Sequence, residues 1–487
     1  MYSLRQRIGF FSGPILFLLL LVIRPSGGMN PQALKVAAVA LLMTIWWITE
    51  AIPIPATALL PLVLFPGLGV LKASEASAPY AHHLIFLFMG GFLIAIAMEK
   101  WNLHKRVALH TIRLVGFSSN RIILGFMIAT AFLSMWISNT ATTMMMVPIG
   151  MAVIKQSVDF IEKSDDYAIN TTPPHFKFGT ALMLGIAYAA SIGGVATIIG
   201  TPPNTILVGF IEQTYHMQIR FVQWMMFGVP LAVIMLLIAW LYLTRFASVP
   251  EIDRLPGGKE LLEAELKKIG KMTKAEGYVL TVFGMVALLW IGRGFIHFGP
   301  STIHDATIAM GGAILLFMIP VNWKEGIFVL DWQSAVRLPW DVILLFGGGL
   351  SLARGFSESG LAQWIGEQFV VLQGMNILII VFIVTFFSLM LTEITSNTAT
   401  AAVIIPVLGS VAAAMQVHPF LLIIPAGVAA SYAFMLPVAT PPNAIVFGSR
   451  YLTIPQMARI GMVLNLIGAF LITLLVHFAL PHIWNLK

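Results

Sequence analysis

Ser138-Asn139-Thr140-Ala141-Thr142 and Ser396-Asn397-Thr398-Ala399-Thr400 are one pentapeptide written twice, each time inside a long apolar stretch. A second pair follows downstream, Thr201-Pro202-Pro203-Asn204 and Thr440-Pro441-Pro442-Asn443. Polar, helix-breaking sequence at membrane depth is costly unless it lines a cavity or holds a ligand. Its duplication in corresponding places of two halves points to a transporter whose binding site lies between internal repeats.

The chain has 487 residues, 58% of them hydrophobic and only 10% charged, with a mean hydropathy of +0.90. A soluble domain carries about a quarter charged residues, so this is the composition of an all-α polytopic membrane protein. The net charge of +7 sits in connecting segments such as 100–121 and 259–274. That follows the positive-inside rule and argues against nucleic acid as a partner. The absence of cysteine removes disulfides and thiolate metal sites. Arg5 and Arg7 before the apolar run 10–23 mimic a signal peptide, but Arg24-Pro25-Ser26 is a poor cleavage site, so a retained first span is expected.

Apolar runs near the spanning length fall at 10–24, 33–50, 54–71, 82–99, 178–210, 224–246, 277–297, 303–320, 341–359, 418–449 and 456–482. They read as 11 transmembrane helices. Two further apolar segments, 121–155 and 376–416, carry the pentapeptide near their middle and are expected to be re-entrant helical hairpins. With a cytoplasmic N-terminus, roughly 21 of the 28 Lys and Arg fall on the inner side of the plasma (cytoplasmic) membrane or at its border, which selects N-inside and C-outside. The expected divisions are an N-terminal half at 1–245, a cytoplasmic connector at 246–276 and a second half at 277–487.

A shift of 258 positions lays Ser138 on Ser396, Pro148 on Pro406, and Ile85, Leu87, Phe88, Gly90 and Gly91 on Ile343, Leu345, Phe346, Gly348 and Gly349. The Pro-Pro-Asn copies need 239, because the first half carries extra polar residues around 155–177. An odd number of crossings between the two units makes them opposite in orientation, an inverted repeat.

Ser, Asn and Thr supply neutral oxygens and amide donors, and they favour helix ends over interiors. A hairpin tip built from them exposes carbonyls from the end of its first helix, suited to a hard cation such as sodium. It also exposes N–H groups from the start of its second helix, suited to a carboxylate. Each Pro-Pro pair removes two backbone donors and forbids a regular helix, so carbonyls of a broken helix can face the same ion. No Lys, Arg, Asp, Glu or His occurs within any of the four segments. Co-bound cations and backbone dipoles must then neutralise an anion, since an uncompensated charge at this depth costs several kcal/mol.

At these residues, and in Phe132–Thr140 (FLSMWISNT), Trp101–Arg106 (WNLHKR), Thr392-Glu393 and Ser431–Phe447 (SYAFMLPVATPPNAIVF), the chain resembles the divalent anion:sodium symporter family over nearly its whole length. The resemblance implies a homodimer in which each protomer has a scaffold domain and a transport domain moving like an elevator. It implies at least two sodium sites, one from Ser134, Ser138, Asn139 and the backbone of Gly200, the other from Thr392, Thr395, Asn397 and the backbone of Ala439. The substrate would touch Ser138, Asn139, Thr140, Ser396, Asn397 and Thr398, with Thr201, Thr440 and Pro441 nearby. Thr395 is expected to act through its carbonyl. Both Ser-Asn-Thr copies are intact, as in dicarboxylate-preferring members of that family, so the resemblance implies sodium-coupled symport of a C4-type dicarboxylate such as succinate. A sodium-independent exchanger, or a symporter preferring citrate or sulfate, is the alternative. An enzyme is not expected, because Glu393 alone does not make a catalytic set.

Glu393, a carboxylate at membrane depth, reads either as a functional group (a proton site or an aid to sodium) or as an acceptor for nearby backbone and hydroxyl groups. Glu50 reads as interfacial, and so do His82 and His83, which have no further ligand at metal-site spacing. Met144–Met146 suit adaptable packing. The basic amphipathic run 101–113 reads as a helix on the cytoplasmic interface against membrane lipids, and 260–274 as a solvated cytoplasmic helix.

Overall fold

The structure, a computed structural model, describes residues 3–25, 27–163, 169–253, 258–293, 303–369, 371 and 374–484. Residues 164–168 of the first-half insertion, 254–257 of the connector and 294–297 of the seventh expected span lie outside them. The described chain is predominantly helical, and eight of its helices are long and apolar enough to cross a membrane. Six coincide with expected spans. The other two, Asn139–Glu162 and Asn397–Ala414, are the second arms of the two expected hairpins.

Two local expectations are corrected. The third span, read as continuous over 54–71, splits into Ile54–Thr57 and Leu60–Gly67. Pro55 and Pro61 each sit in the first turn of their piece, where a missing N–H is tolerated but a preceding helix cannot run through. The fold is also not purely helical. Pro320–Asn322 pairs antiparallel with Ile327–Phe328 across a turn that Gly326 closes at φ 65°.

The first two helices show how apolar segments associate without a hydrophobic drive. Leu4–Val22 packs on Pro31–Thr49 through Gly9 and Gly13. A Cβ on Gly9 would overlap the Thr49 hydroxyl, and one on Gly13 would stand 2.7 Å from Trp46 Nε1. Small residues let the backbones close in and gain dispersion contact.

The connector is docked, not simply solvated. Its helix Gly258–Ile269 packs on Leu103–Val115 and buries Leu262. Arg106, expected among interfacial basic residues, is buried instead. Its Nε and Nη2 donate to the two oxygens of Glu276 at 2.9 and 3.1 Å, and its Nη1 donates to Gly270 O at 2.9 Å. A charged residue 170 positions away completes this pair, which local spacing cannot reveal. Removing one partner of a buried ion pair costs about 3–5 kcal/mol. Arg106→Ala should therefore lower the melting temperature of the purified protein sharply, whereas Lys268→Ala, which removes an exposed pair with Glu265, should leave it unchanged.

Candidate functional site

Ser134 ends the first arm of one hairpin, Ser119–Ser134, and Asn139 begins the second, Asn139–Lys163. The tip between them brings Ser134 Oγ within 2.6 Å of the Asn139 side-chain amide and 2.7 Å of Ala190 O. The other hairpin, Ile377–Thr392 and Asn397–Ala414, repeats the arrangement. There Thr392 Oγ1 lies 2.7 Å from Asn397 Oδ1 and 2.8 Å from Ala430 O. A hydroxyl carries one proton. The Thr392 cluster therefore holds three close oxygens with one hydrogen to share, a surplus of lone pairs that suits a hard cation.

The end of the Asn139 amide that faces Ser134 also stands 3.2 Å from Ala190 O and 3.3 Å from Gly200 O. With the NH2 group there, the amide bridges all three oxygens. With the carbonyl there, four oxygens converge.

Two broken helices supply the carbonyls. Lys177–Gly194 stops and Pro202–Tyr215 starts beyond it, and Phe420–Ala429 stops before Pro441–Phe447. Asn204 ties the first break, its Nδ2 donating to Gly194 O, Val195 O and Thr197 O at 3.2, 3.3 and 2.8 Å. Asn443 ties the second through Ala433 O and Leu436 O, at 3.1 and 3.0 Å. Sequence reading used both asparagines as signals of a break and missed their role as clamps. Pro202–Tyr215 packs against Asn397–Ala414, and Pro441–Phe447 against Asn139–Lys163, so each half's broken helix seats on the other half's hairpin. Ser431 Oγ, 3.5 Å from Thr201 Oγ1, joins the two breaks. A cavity of about 730 Å³ reaches the first tip at Ala141 and Thr142, with Lys105 and Arg337 in its walls.

Residues 10–484 match the family described as the sodium:sulfate symporter transmembrane region. The chain belongs to this family, the divalent anion:sodium symporters. This symporter is 48% identical over 485 residues to the sodium-dependent dicarboxylate transporter SdcS of Staphylococcus saprophyticus, covering 99% of this chain and 92% of that protein. It is 48% identical over 484 residues, with the same coverage, to the SdcS of Staphylococcus aureus. Among solved structures, MtrF of Neisseria gonorrhoeae, from work on a class of antimetabolite efflux pumps, aligns with a TM-score of 0.58 at 12% identity. That alignment covers 96% of this chain and 95% of MtrF, and the likeness concerns the fold alone.

The remaining expected residues of the symporter fall around the tips. Ser138, Asn139, Thr140, Ser396, Asn397 and Thr398 are half-buried, so each tip keeps an accessible polar face. Ser138 Oγ accepts from Ala141 N at 3.2 Å and caps its helix, while Ser396 makes no side-chain cap. The Thr395 hydroxyl is engaged by Leu391 O and Thr400 Oγ1, at 2.8 and 2.5 Å, so a ligand would meet its carbonyl. Gly200, Ala439, Thr201 and Thr440 are buried, and Pro441 is exposed. Thr440 Oγ1 accepts from Asn443 N at 3.2 Å.

Of the two readings of Glu393, the geometry matches the acceptor. Its Oε1 takes Phe434 N, Met435 N and Asn465 Nδ2 at 2.8, 2.9 and 2.7 Å, and its Oε2 takes Leu436 N at 3.1 Å. In the first half Met135 occupies the equivalent place, and its carbonyl accepts from Thr197 Oγ1 at 2.6 Å. The second break hangs on one carboxylate where the first uses a glycine-lined turn. His82 and His83, read as lacking a further ligand, are met by Glu212 from the first broken helix.

Proposed function

We propose that this symporter carries C4-type dicarboxylates such as succinate together with at least two sodium ions, one at each hydroxyl–amide–carbonyl cluster. The observation that carries the reading is the cluster itself, made twice: a hydroxyl, a tip asparagine amide and a backbone carbonyl meet within 2.8 Å, with no charged side chain among them. The names of the two staphylococcal relatives supply the substrate class. The dianion would rest between the tips on the first N–H groups of Asn139–Lys163 and Asn397–Ala414, where helix dipoles favour negative charge. The repeated contact pattern of hairpins and broken helices supports an inverted repeat with re-entrant hairpins. Elevator-like movement of this unit against the remaining helices, in a homodimer with a cytoplasmic N-terminus, completes the proposal.

Uptake of labelled succinate into proteoliposomes tests it. A sodium gradient should drive accumulation, and choline replacement should stop it; equal uptake in choline would leave a sodium-independent exchanger. Competition by malate, citrate and sulfate ranks the anions. If more than two sodium ions accompany each dianion, inside-negative potential should accelerate uptake, with about 2.3 kcal/mol per net charge per 100 mV available.

Gly200→Ala offers a finer check. A Cβ at Gly200 would lie 2.4 Å from Gly194 O, so the break has to move. Overpacking of about 1–3 kcal/mol corresponds to about 5- to 150-fold in affinity. The sodium concentration for half-maximal uptake should rise accordingly.

A further inference from the structure

His82 and His83 open the helix His83–Lys100, and Glu212 stands in the last turn of Pro202–Tyr215. One ring nitrogen of each histidine and one oxygen of Glu212 lie within 4.8 Å of one another. His83 Nε2 is 3.2 Å from Glu212 Oε2, and the Glu212 side chain is only 14% exposed. Two imidazoles and a carboxylate are the ligand types of a three-residue zinc site with an open fourth position. Tetrahedral ligands about 2.1 Å from a metal are about 3.4 Å apart. His83 and Glu212 already have that spacing, and a ring nitrogen of His82 lies within 4.8 Å of both ligand atoms.

The surroundings fit. Gln218 Nε2 donates to Glu212 Oε1 at 3.1 Å, which orients the carboxylate and leaves Oε2 for a metal. His82 Nδ1 accepts from Leu84 N at a long 3.4 Å. His304, its ring 5.4 Å from that of His83, flanks the open position. Two cations line the adjoining cavity: Arg293 is paired with Asp305 at 2.6 Å, and Arg220 is exposed to solvent.

We propose that His82, His83 and Glu212 bind a transition-metal dication of the zinc class. The bound ion fastens His83–Lys100 to Pro202–Tyr215 and thereby arrests transport. The arrest rests on the reading of Pro202–Tyr215 as part of the moving unit; the binding does not.

Zinc chloride titrated calorimetrically into the full-length protein in nanodiscs, without sodium or substrate, should bind once per protomer and raise its melting temperature. His82→Ala, His83→Ala and Glu212→Gln should each weaken binding by at least about tenfold. In proteoliposomes zinc should inhibit uptake by the parent and spare the three variants. His83→Gln serves where an alanine variant loses its fold. No binding by the parent, or unchanged affinity in all variants, overturns the site. Full uptake by zinc-loaded parent protein overturns the fastening while the transport reading stands.

Discussion

Asn139→Ala and Asn397→Ala are each expected to abolish sodium-driven succinate uptake while leaving a folded protein. Each removes the side-chain amide that meets Ser134 or Thr392. A contact to a charged partner contributes about 1.5–3 kcal/mol, which is about 10- to 150-fold in sodium affinity. On the proposed coupling, in which anion and cation neutralise each other, weak sodium binding also weakens the dianion. Asn139→Ala should be the more harmful, since its amide also reaches Gly200 O. Size-exclusion profiles and melting curves separate this from misfolding. Uptake at the parent level in either variant would remove that asparagine from the site.

Glu393→Ala is expected to have the largest effect on the fold of the site. It strands three backbone N–H groups and the Asn465 amide, all held now by one buried carboxylate. A buried donor left unpaired costs about 1–3 kcal/mol, so the break before Pro441 should collapse, with a large drop in melting temperature and no uptake. Glu393→Gln keeps one oxygen but points an NH2 group at N–H donors, and should retain a small fraction of activity. That remainder should show the parent's pH profile, because the carboxylate acts by position. A shifted profile would return Glu393 to the proton-carrying role.

Much of this architecture was legible because it is written in polar residues where apolar ones are the rule. The duplicated Ser-Asn-Thr and Pro-Pro-Asn segments marked both tips and both breaks, and the positions paired by the 258 shift, Ser134 with Thr392 and Asn139 with Asn397, make matching contacts. The partners that stayed hidden are of two kinds. Ala190 and Ala430 act through carbonyls, which every residue possesses, so nothing in their side chains announces them. Arg106–Glu276 and His83–Glu212 join residues far apart in the chain, and no local period encodes such pairs. The split of 54–71 follows from its prolines, which apolar length alone does not register.

The central claim is that a doubly charged anion is held by helix ends and the cations that travel with it, with no basic side chain in the Ser-Asn-Thr or Pro-Pro-Asn segments themselves. Calorimetric binding of succinate to the purified protein across a sodium series, with choline holding ionic strength constant, tests it most directly. Affinity should climb with sodium concentration with a slope near two or above and vanish in choline alone. Binding of equal strength at every sodium concentration would contradict it.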